Sequence, residues 1–318
     1  MLYTRRELGK MALAAIPLAR LAEIELWSSI NSKINGVQIG AITYSFRSIP
    51  NPEEIIKAMA QIGLSEAELM SGDAEKLAGL PAMPNFGRGG GRGRGAPLTA
   101  EQQAEVDAAQ AAQKKWRMSA TADTFKIVKK KFNDAGIDVR LLCYNMNVNN
   151  TKDDEIEYAF TMARGLGVKA MSTSTQVSMA KRVAPFAEKH KLIVGFHGHD
   201  QVERADEVAS EATFKEVLAA GKYLGANLDI GHYTAANGDP VAFMKQHHGR
   251  ITNLHLKDRK KDHGPNVPWG QGDTPIKEVL LLLKTTKWDI PANVEFEYQG
   301  EAIPEVTKCF EYAKRVLA

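Results

Sequence analysis

Short apolar runs rich in β-branched residues recur along the chain, at Val37–Ile42, Glu66–Met70, Val139–Tyr144, Lys169–Thr173, Leu192–Phe196, Ala226–Ile230, Ile251–Leu256 and Asn293–Phe296. Between most of them lie stretches of helical period: Pro52–Ile62, Asp123–Ala135, Asp153–Leu166, Ser178–His190, Ser210–Tyr223, Pro240–His247 and Ile276–Thr285. Several helical stretches close on a glycine that leads into the next run, at Gly63, Gly136, Gly167 and Gly225. Eight strands with seven helical stretches between them predict a (β/α)8 TIM barrel in a single domain. A doubly wound sheet is the competing architecture. Its glycine-rich phosphate turn is missing after the first run, where the chain reads Ala41-Ile42-Thr43-Tyr44-Ser45-Phe46-Arg47.

Two segments fall outside this alternation. Thr4-Arg5-Arg6-Glu7-Leu8-Gly9-Lys10 precedes a short, weakly apolar stretch from Met11 to Ala19, an order that resembles a twin-arginine export signal. Residues 1–35 are therefore expected to be a signal segment and leader, and the protein to be exported or periplasmic. The second segment, residues 84–97, is dominated by glycine and arginine and loses too much backbone entropy on ordering to form a packed element. With the polar helical stretch Thr99–Lys115 behind it, residues 84–119 read as a flexible and helical insertion after the second strand. The barrel then occupies 36–318.

Composition narrows the function. With 44% hydrophobic and 25% charged residues the chain is an ordinary globular sequence. No apolar run approaches the roughly 20 residues that a membrane span requires, so stable membrane insertion is not expected. Two cysteines, Cys143 and Cys309, exclude a cysteine-rich zinc module or disulfide scaffold and read as buried thiols. The formal charge of +3 divides unevenly: residues 1–35 carry net +2 and residues 84–119 net +3, which leaves about −2 for the rest. A basic nucleic-acid-binding face on the barrel is not supported.

In such a barrel, chemistry belongs at the C-terminal ends of the strands, and polar residues collect there. The fifth run leads into Phe196-His197-Gly198-His199-Asp200, the sixth into Leu228-Asp229-Ile230-Gly231-His232, the seventh into Leu254-His255-Leu256-Lys257-Asp258 and the eighth into Val294-Glu295-Phe296-Glu297-Tyr298. Imidazole and carboxylate in series on four adjacent strands are ligand types suited to one divalent ion, Mn²⁺, Mg²⁺, Co²⁺ or Zn²⁺.

At these residues the chain resembles the sugar phosphate isomerase/epimerase group of xylose-isomerase-like TIM barrels, a resemblance that runs from about Val37 onward apart from the insertion. It implies one divalent metal held by Glu, Asp, His and Glu on late strands. The Asp-x-x-His motif falls on Asp229 and His232, the metal-binding His on His255, and the last Glu on Glu295, with Glu297 on the same face two residues on. The family's first Glu falls on His197, so the expected ligands are His197, Asp229, His255 and Glu295.

The chemistry implied is metal-dependent isomerisation or epimerisation of a sugar by proton abstraction next to a carbonyl, through an enediolate that the ion stabilises. Glu295 is expected as base and ligand, and His197 or His199 as the partner acid. Substrate contacts are expected from His199, His232, Lys257, Glu297, Tyr44 and Trp269, the last on the long segment Asp258–Pro275, with His263 a further closing residue. Glu68 reads equally as a pocket residue or a barrel-top ion pair, Asn145 and Asn147 as hydroxyl contacts or turn formers, and Phe46 as pocket wall or core. Ser172–Thr175 receive no role. Alternatives are a lyase or hydratase on a keto-sugar or keto-glycoside and a non-catalytic sugar-binding barrel; a DNA endonuclease fits the acidic body poorly. The partner is a small carbohydrate, free sugar or glycoside rather than sugar phosphate. A homodimer is compatible with barrels of this kind.

Overall fold

A computed structural model describes residues 30–86 and 98–318. The twin-arginine segment and most of the glycine-arginine run lie outside the described residues. Eight parallel strands, β1 (Val37–Ile42), β2 (Glu66–Met70), β3 (Asp138–Cys143), β4 (Ala170–Thr173), β5 (Ile193–His197), β6 (Leu224–Asp229), β7 (Ile251–Leu256) and β8 (Ala292–Val294), pair in sequence order. β8 also pairs with β1, through Ile39 beside Ala292 and Ala41 beside Val294, which closes the barrel. A two-residue strand, Lys33–Ile34, folds back on β1 over Asn35 and Gly36, both at positive φ, so sheet pairing begins just before the expected boundary at 36.

Local chemistry explains the alternation. In α1 (Pro52–Ile62) the Asn51 side chain accepts from Glu53 N, Pro52 sits in the first turn, and Gly63 at φ +93° ends the helix and returns the chain to β2. α2 (Ser71–Leu77), directly after β2, was not anticipated from the apolar period because it is only seven residues long. The insertion contributes α3 (Ala100–Ser119), four residues longer at its C-terminus than the polar pattern suggested, with a Thr99–Gln102 capping box and no fully buried residue. It is nonetheless fastened to the barrel. Arg117 donates to both oxygens of Glu75 on α2, at 2.6 and 2.9 Å, and Tyr158 Oη donates to Glu75 Oε1 at 2.9 Å.

α4 (Ala122–Asp134), α5 (Asp153–Leu166), α6 (Ala180–His190) and α7 (Glu211–Ala220) alternate with β3 to β6 as the periodicity predicts. α8 (Ile230–Ala235) and α9 (Pro240–His247) follow β6, α10 (Ile276–Thr286) follows β7, and α11 (Ala302–Leu317) closes the ring. α11 buries Ala302, Val306, Cys309, Phe310, Ala313 and Leu317, a stripe of helical spacing. Both cysteines are free and buried.

Candidate active site and metal centre

The C-terminal strand ends converge on a pocket of about 350 Å³ lined by His197, His199, His232, His255, Glu295 and Glu297, together with Tyr44, Asn145, Ser172 and Ser174. His197 ends β5 and Asp229 ends β6, where Asp229 also caps α8: its Oδ1 accepts from His232 N at 2.7 Å. The Asp-x-x-His spacing therefore places both side chains at one helix start. His255 lies in β7 beside Asp229 of β6. Glu295 stands just past β8, where Glu295 N donates to Leu256 O at 3.1 Å and Phe296 N donates to Ser45 Oγ at 2.9 Å. These backbone bonds fix Glu295 beyond the regular strand.

His197, Asp229, His255 and Glu295 are all buried and present ligand atoms within 4.8 Å of one another. Metal–ligand bonds of about 2.0–2.2 Å place donors to a common ion no more than about 4.4 Å apart, so small inward shifts suffice to hold one cation. Asp229 Oδ2 points inward with no hydrogen-bond partner; Lys257 Nζ faces it at 3.0 Å as an ion pair off the hydrogen-bonding direction. A buried carboxylate oxygen that takes an ion pair but no hydrogen bond, set among imidazoles and a second carboxylate, suits a divalent cation.

Charge is dense here and mutually compensated. Lys257, 2% exposed, directs its ammonium at Glu295 Oε2 (2.9 Å) and Glu297 Oε2 (2.6 Å) as well as Asp229. Burial opposes charge on Lys257, but these carboxylates outweigh it and raise its pKa. Burial likewise favours neutral Glu295, yet Lys257 and His255 hold its carboxyl well below the usual range. Burial pushes Asp229 up to about 6. His255 sits between Glu68 Oε2 (2.7 Å, to Nε2) and Glu295 Oε2 (3.1 Å, to Nδ1); burial works against its cation, and the two carboxylates override that and raise its pKa well above 6.5. His197 and His232 are held neutral, chiefly by burial and then by the cations and imidazoles around them.

Several expected residues meet here. Tyr44 lines the mouth, 37% exposed, beneath the Arg47 guanidinium at 4.8 Å. His199 lines the wall, its Nδ1 held by Glu207 and its Nε2 3.2 Å from Ser174 Oγ. Glu207 was not foreseen; it reaches back across the loop after β5. His232 stands between two cations, with Lys257 Nζ 2.9 Å from Nε2 and Arg259 Nη1 2.6 Å from Nδ1, so its neutral ring accepts from one of them; Arg259 in turn pairs with Asp200 at 3.1 Å.

Other expected residues fall elsewhere. Trp269 is not brought to the pocket: it packs edge-on to Tyr312 in a separate cleft with Pro268, Gln271 and Tyr298. The cause is Asp258, whose carboxylate accepts from Gly270, Gly272 and Thr274 backbone N–H groups and curls the segment outward. His263 pairs with Asp200 at 3.2 Å, outside the pocket lining. Phe46 is core, and Asn147 forms a turn by accepting from Asn149 N.

The residues that sequence reasoning missed lie one layer deeper. Asn227, Asn253 and Asn293 are fully buried, each two positions before a proposed ligand on β6, β7 and β8. Their signal was present as Asn-Leu-Asp, Asn-Leu-His and Asn-Val-Glu, three copies of one spacing at period two.

Residues 173–313, which contain all four members of the cluster, match the family model described as Xylose isomerase-like TIM barrel. No protein of curated function matches the chain. Among solved structures, the probable 3-DHS dehydratase AsbF of Bacillus anthracis is 14% identical, with 86% of this chain and 98% of that one covered and a TM-score of 0.61. A sugar phosphate isomerase/epimerase of Parabacteroides distasonis is 17% identical, covering 92% and 99%, with a TM-score of 0.58. The IOLI protein with a bound zinc atom is 13% identical, covering 88% and 96%, also at 0.58. At these identities the likeness is one of fold.

Proposed function

We propose that this chain is a metal-dependent carbohydrate isomerase or epimerase that moves a proton on carbon next to a carbonyl. The observation that carries the proposal is Glu295: a carboxylate kept ionised by Lys257 and His255 at the floor of a polar pocket, within ligand reach of His197, Asp229 and His255. A divalent ion held by these four residues supplies charge stabilisation for oxygen as negative charge develops there. Glu295 takes the proton, its low pKa keeping it in the basic form. Lys257, beneath the pocket surface, keeps Glu295 ionised, and His232, held neutral, lines the pocket where substrate hydroxyls would lie.

The second proton position is His199 rather than His197. His197 is 7% exposed and its Nδ1 meets Asn227 Oδ1 at 3.4 Å, which suits a ligand. His199 has its imidazole oriented by Glu207 and its Nε2 turned to Ser174 on the pocket wall. An imidazole here in place of a carboxylate also favours a second reading, a lyase or hydratase, because it can deliver a proton to a leaving hydroxyl.

Neutral substrate is favoured by the lining, which among the described residues includes no arginine or lysine at the pocket surface to meet a phosphate. The twin-arginine pattern at Arg5-Arg6 further supports an exported enzyme meeting free sugars or glycosides. Metal-loaded protein incubated with ketoses and keto-glycosides in D₂O tests the proposal. Deuterium uptake at the carbon beside the carbonyl with sugar conserved is expected, elimination products would favour the second reading, and no exchange on any compound would overturn both.

Ion binding carries its own pH signature. His255 holds a proton between two carboxylates, and a ligating imidazole must give it up. Because the pKa is raised, the proton is present at neutral pH, and protons compete with the ion more strongly as pH falls. Affinity is therefore expected to rise about tenfold per pH unit below that pKa. Calorimetric titration in buffers of different ionisation enthalpy counts the released proton; affinity independent of pH between about 5.5 and 7.5 would contradict it.

A further inference from the structure

Beneath the four proposed ligands a single carboxylate gathers donors from across the barrel. Glu68, on β2, is fully buried. Its Oε1 accepts from Ser172 Oγ of β4 and from Asn227 Nδ2 of β6 at 3.3 Å. Its Oε2 accepts from Asn253 Nδ2 and His255 Nε2 of β7, each at 2.7 Å, and from Asn293 Nδ2 of β8 at 3.3 Å. Five donors on one carboxylate saturate its acceptor capacity. The three asparagines precede Asp229, His255 and Glu295 by two residues, so each shares a strand face with the ligand above it.

We propose that Glu68 is the positioning residue of the metal centre, tying β4, β6, β7 and β8 to one point on the barrel axis and fixing which nitrogen of His255 meets the ion. Glu68 is surrounded by donors and accepts from His255 Nε2, which leaves Nδ1 as the nitrogen that faces Glu295. A carboxylate behind a ligating imidazole sets ring orientation, and loss of such a partner weakens metal binding by about 10–100-fold. Asn227 joins the same layer, since its Nδ2 donates to Glu68 Oε1 at 3.3 Å and its Oδ1 lies 3.4 Å from His197 Nδ1. Glutamine at position 68 would replace an acceptor oxygen by an amide donor aimed at Asn253, Asn293 and His255, leaving those donors opposed.

This inference rests on the metal-centre reading above, and one titration separates the two. Metal-free wild type, Glu68→Gln and Asn253→Ala are titrated with Co²⁺, recording both the dissociation constant and the visible ligand-field bands. Glu68→Gln is expected to bind about 10–100-fold more weakly and to shift the bands, because the geometry at the ion changes as well as the charge nearby. Asn253→Ala keeps every ligand, Glu68 and the net charge; it is expected to bind a few-fold more weakly with a smaller band shift in the same direction. Asn253→Ala carries the test alone if Glu68→Gln does not fold. Wild type that takes up no Co²⁺ would overturn the metal-centre reading. Wild type that binds, with unchanged affinity and bands in the folded variants, would overturn the role of Glu68 and leave that reading intact.

Discussion

Exchange of the substrate proton falls by about 10²–10⁴-fold when Glu295 is replaced by glutamine, the range that a positioned general base contributes. Glutamine fills the same space but cannot accept the proton. The fold is expected to persist, because Lys257 keeps its ion pairs with Asp229 and Glu297, and Ser45 and Leu256 still hold the backbone on either side of residue 295. Deuterium wash-in on the best substrate, followed beside thermal unfolding, checks both halves. Exchange within threefold of wild type in a folded variant would remove Glu295 from the chemistry. Glu295→Asp retracts the carboxylate by one methylene and is expected to fall between the two, since position as well as basicity is required.

The second large effect concerns stability and lies at the opposite end of the barrel interior. Glu66 starts β2, is 1% exposed, and neither of its oxygens has a hydrogen-bond partner. It faces Gly40 so closely that a methyl group there would come within 1.9 Å of Glu66 Oε2. Burial raises its pKa to about 8 from an ordinary 4.5, with Arg140 opposing and Glu68 and Asp138 adding to the shift. The folded state therefore keeps a proton that the unfolded chain releases near pH 4.5. Between those two values the native state binds more protons, so stability falls as pH rises toward 8 and levels off above it.

Over the interval the linked free energy is of order 4 kcal/mol. Glu66→Gln carries no titrating group and escapes this loss. It is expected to gain about 3 kcal/mol on wild type between pH 5 and pH 8. Urea unfolding of both proteins at the two pH values reads the difference, since groups common to both cancel. Parallel pH dependences would show that Glu66 ionises normally in the fold.

Much of the architecture was legible because each barrel strand is buried on both faces and so stands out as a short apolar run. The strands at Val37, Glu66 and Ile251 begin and end where the runs do, while the eighth stops at Val294, two residues early, as the chain bends toward Ser45. The short helices α2 and α8 escaped notice because one or two turns carry no periodicity. α11 did carry an apolar stripe, from Ala302 to Leu317, and simply went unread.

The site divides along the same physical line. Strand-end position marked a group of polar residues, and the family resemblance selected His197, Asp229, His255 and Glu295 among them, whose ligand atoms the fold brings within 4.8 Å of one another. Asn227, Asn253 and Asn293 stand singly within three apolar strands far apart in sequence, and only the closed barrel brings them to one carboxylate. Trp269 and Glu207 depend on loop conformation. The first is set by Asp258 accepting from backbone groups more than ten residues away, the second by a return of the chain to His199, and neither leaves a spacing rule in the sequence.

Equilibrium titration of metal-free protein with Mn²⁺ or Co²⁺ bears most directly on whether these four strand ends form one centre. One ion per chain is the predicted stoichiometry for wild type, with binding lost in the Asp229→Asn/Glu295→Gln double variant while its far-ultraviolet circular dichroism is unchanged. A wild type that binds no ion, or a double variant that binds as tightly as wild type, would contradict the assignment.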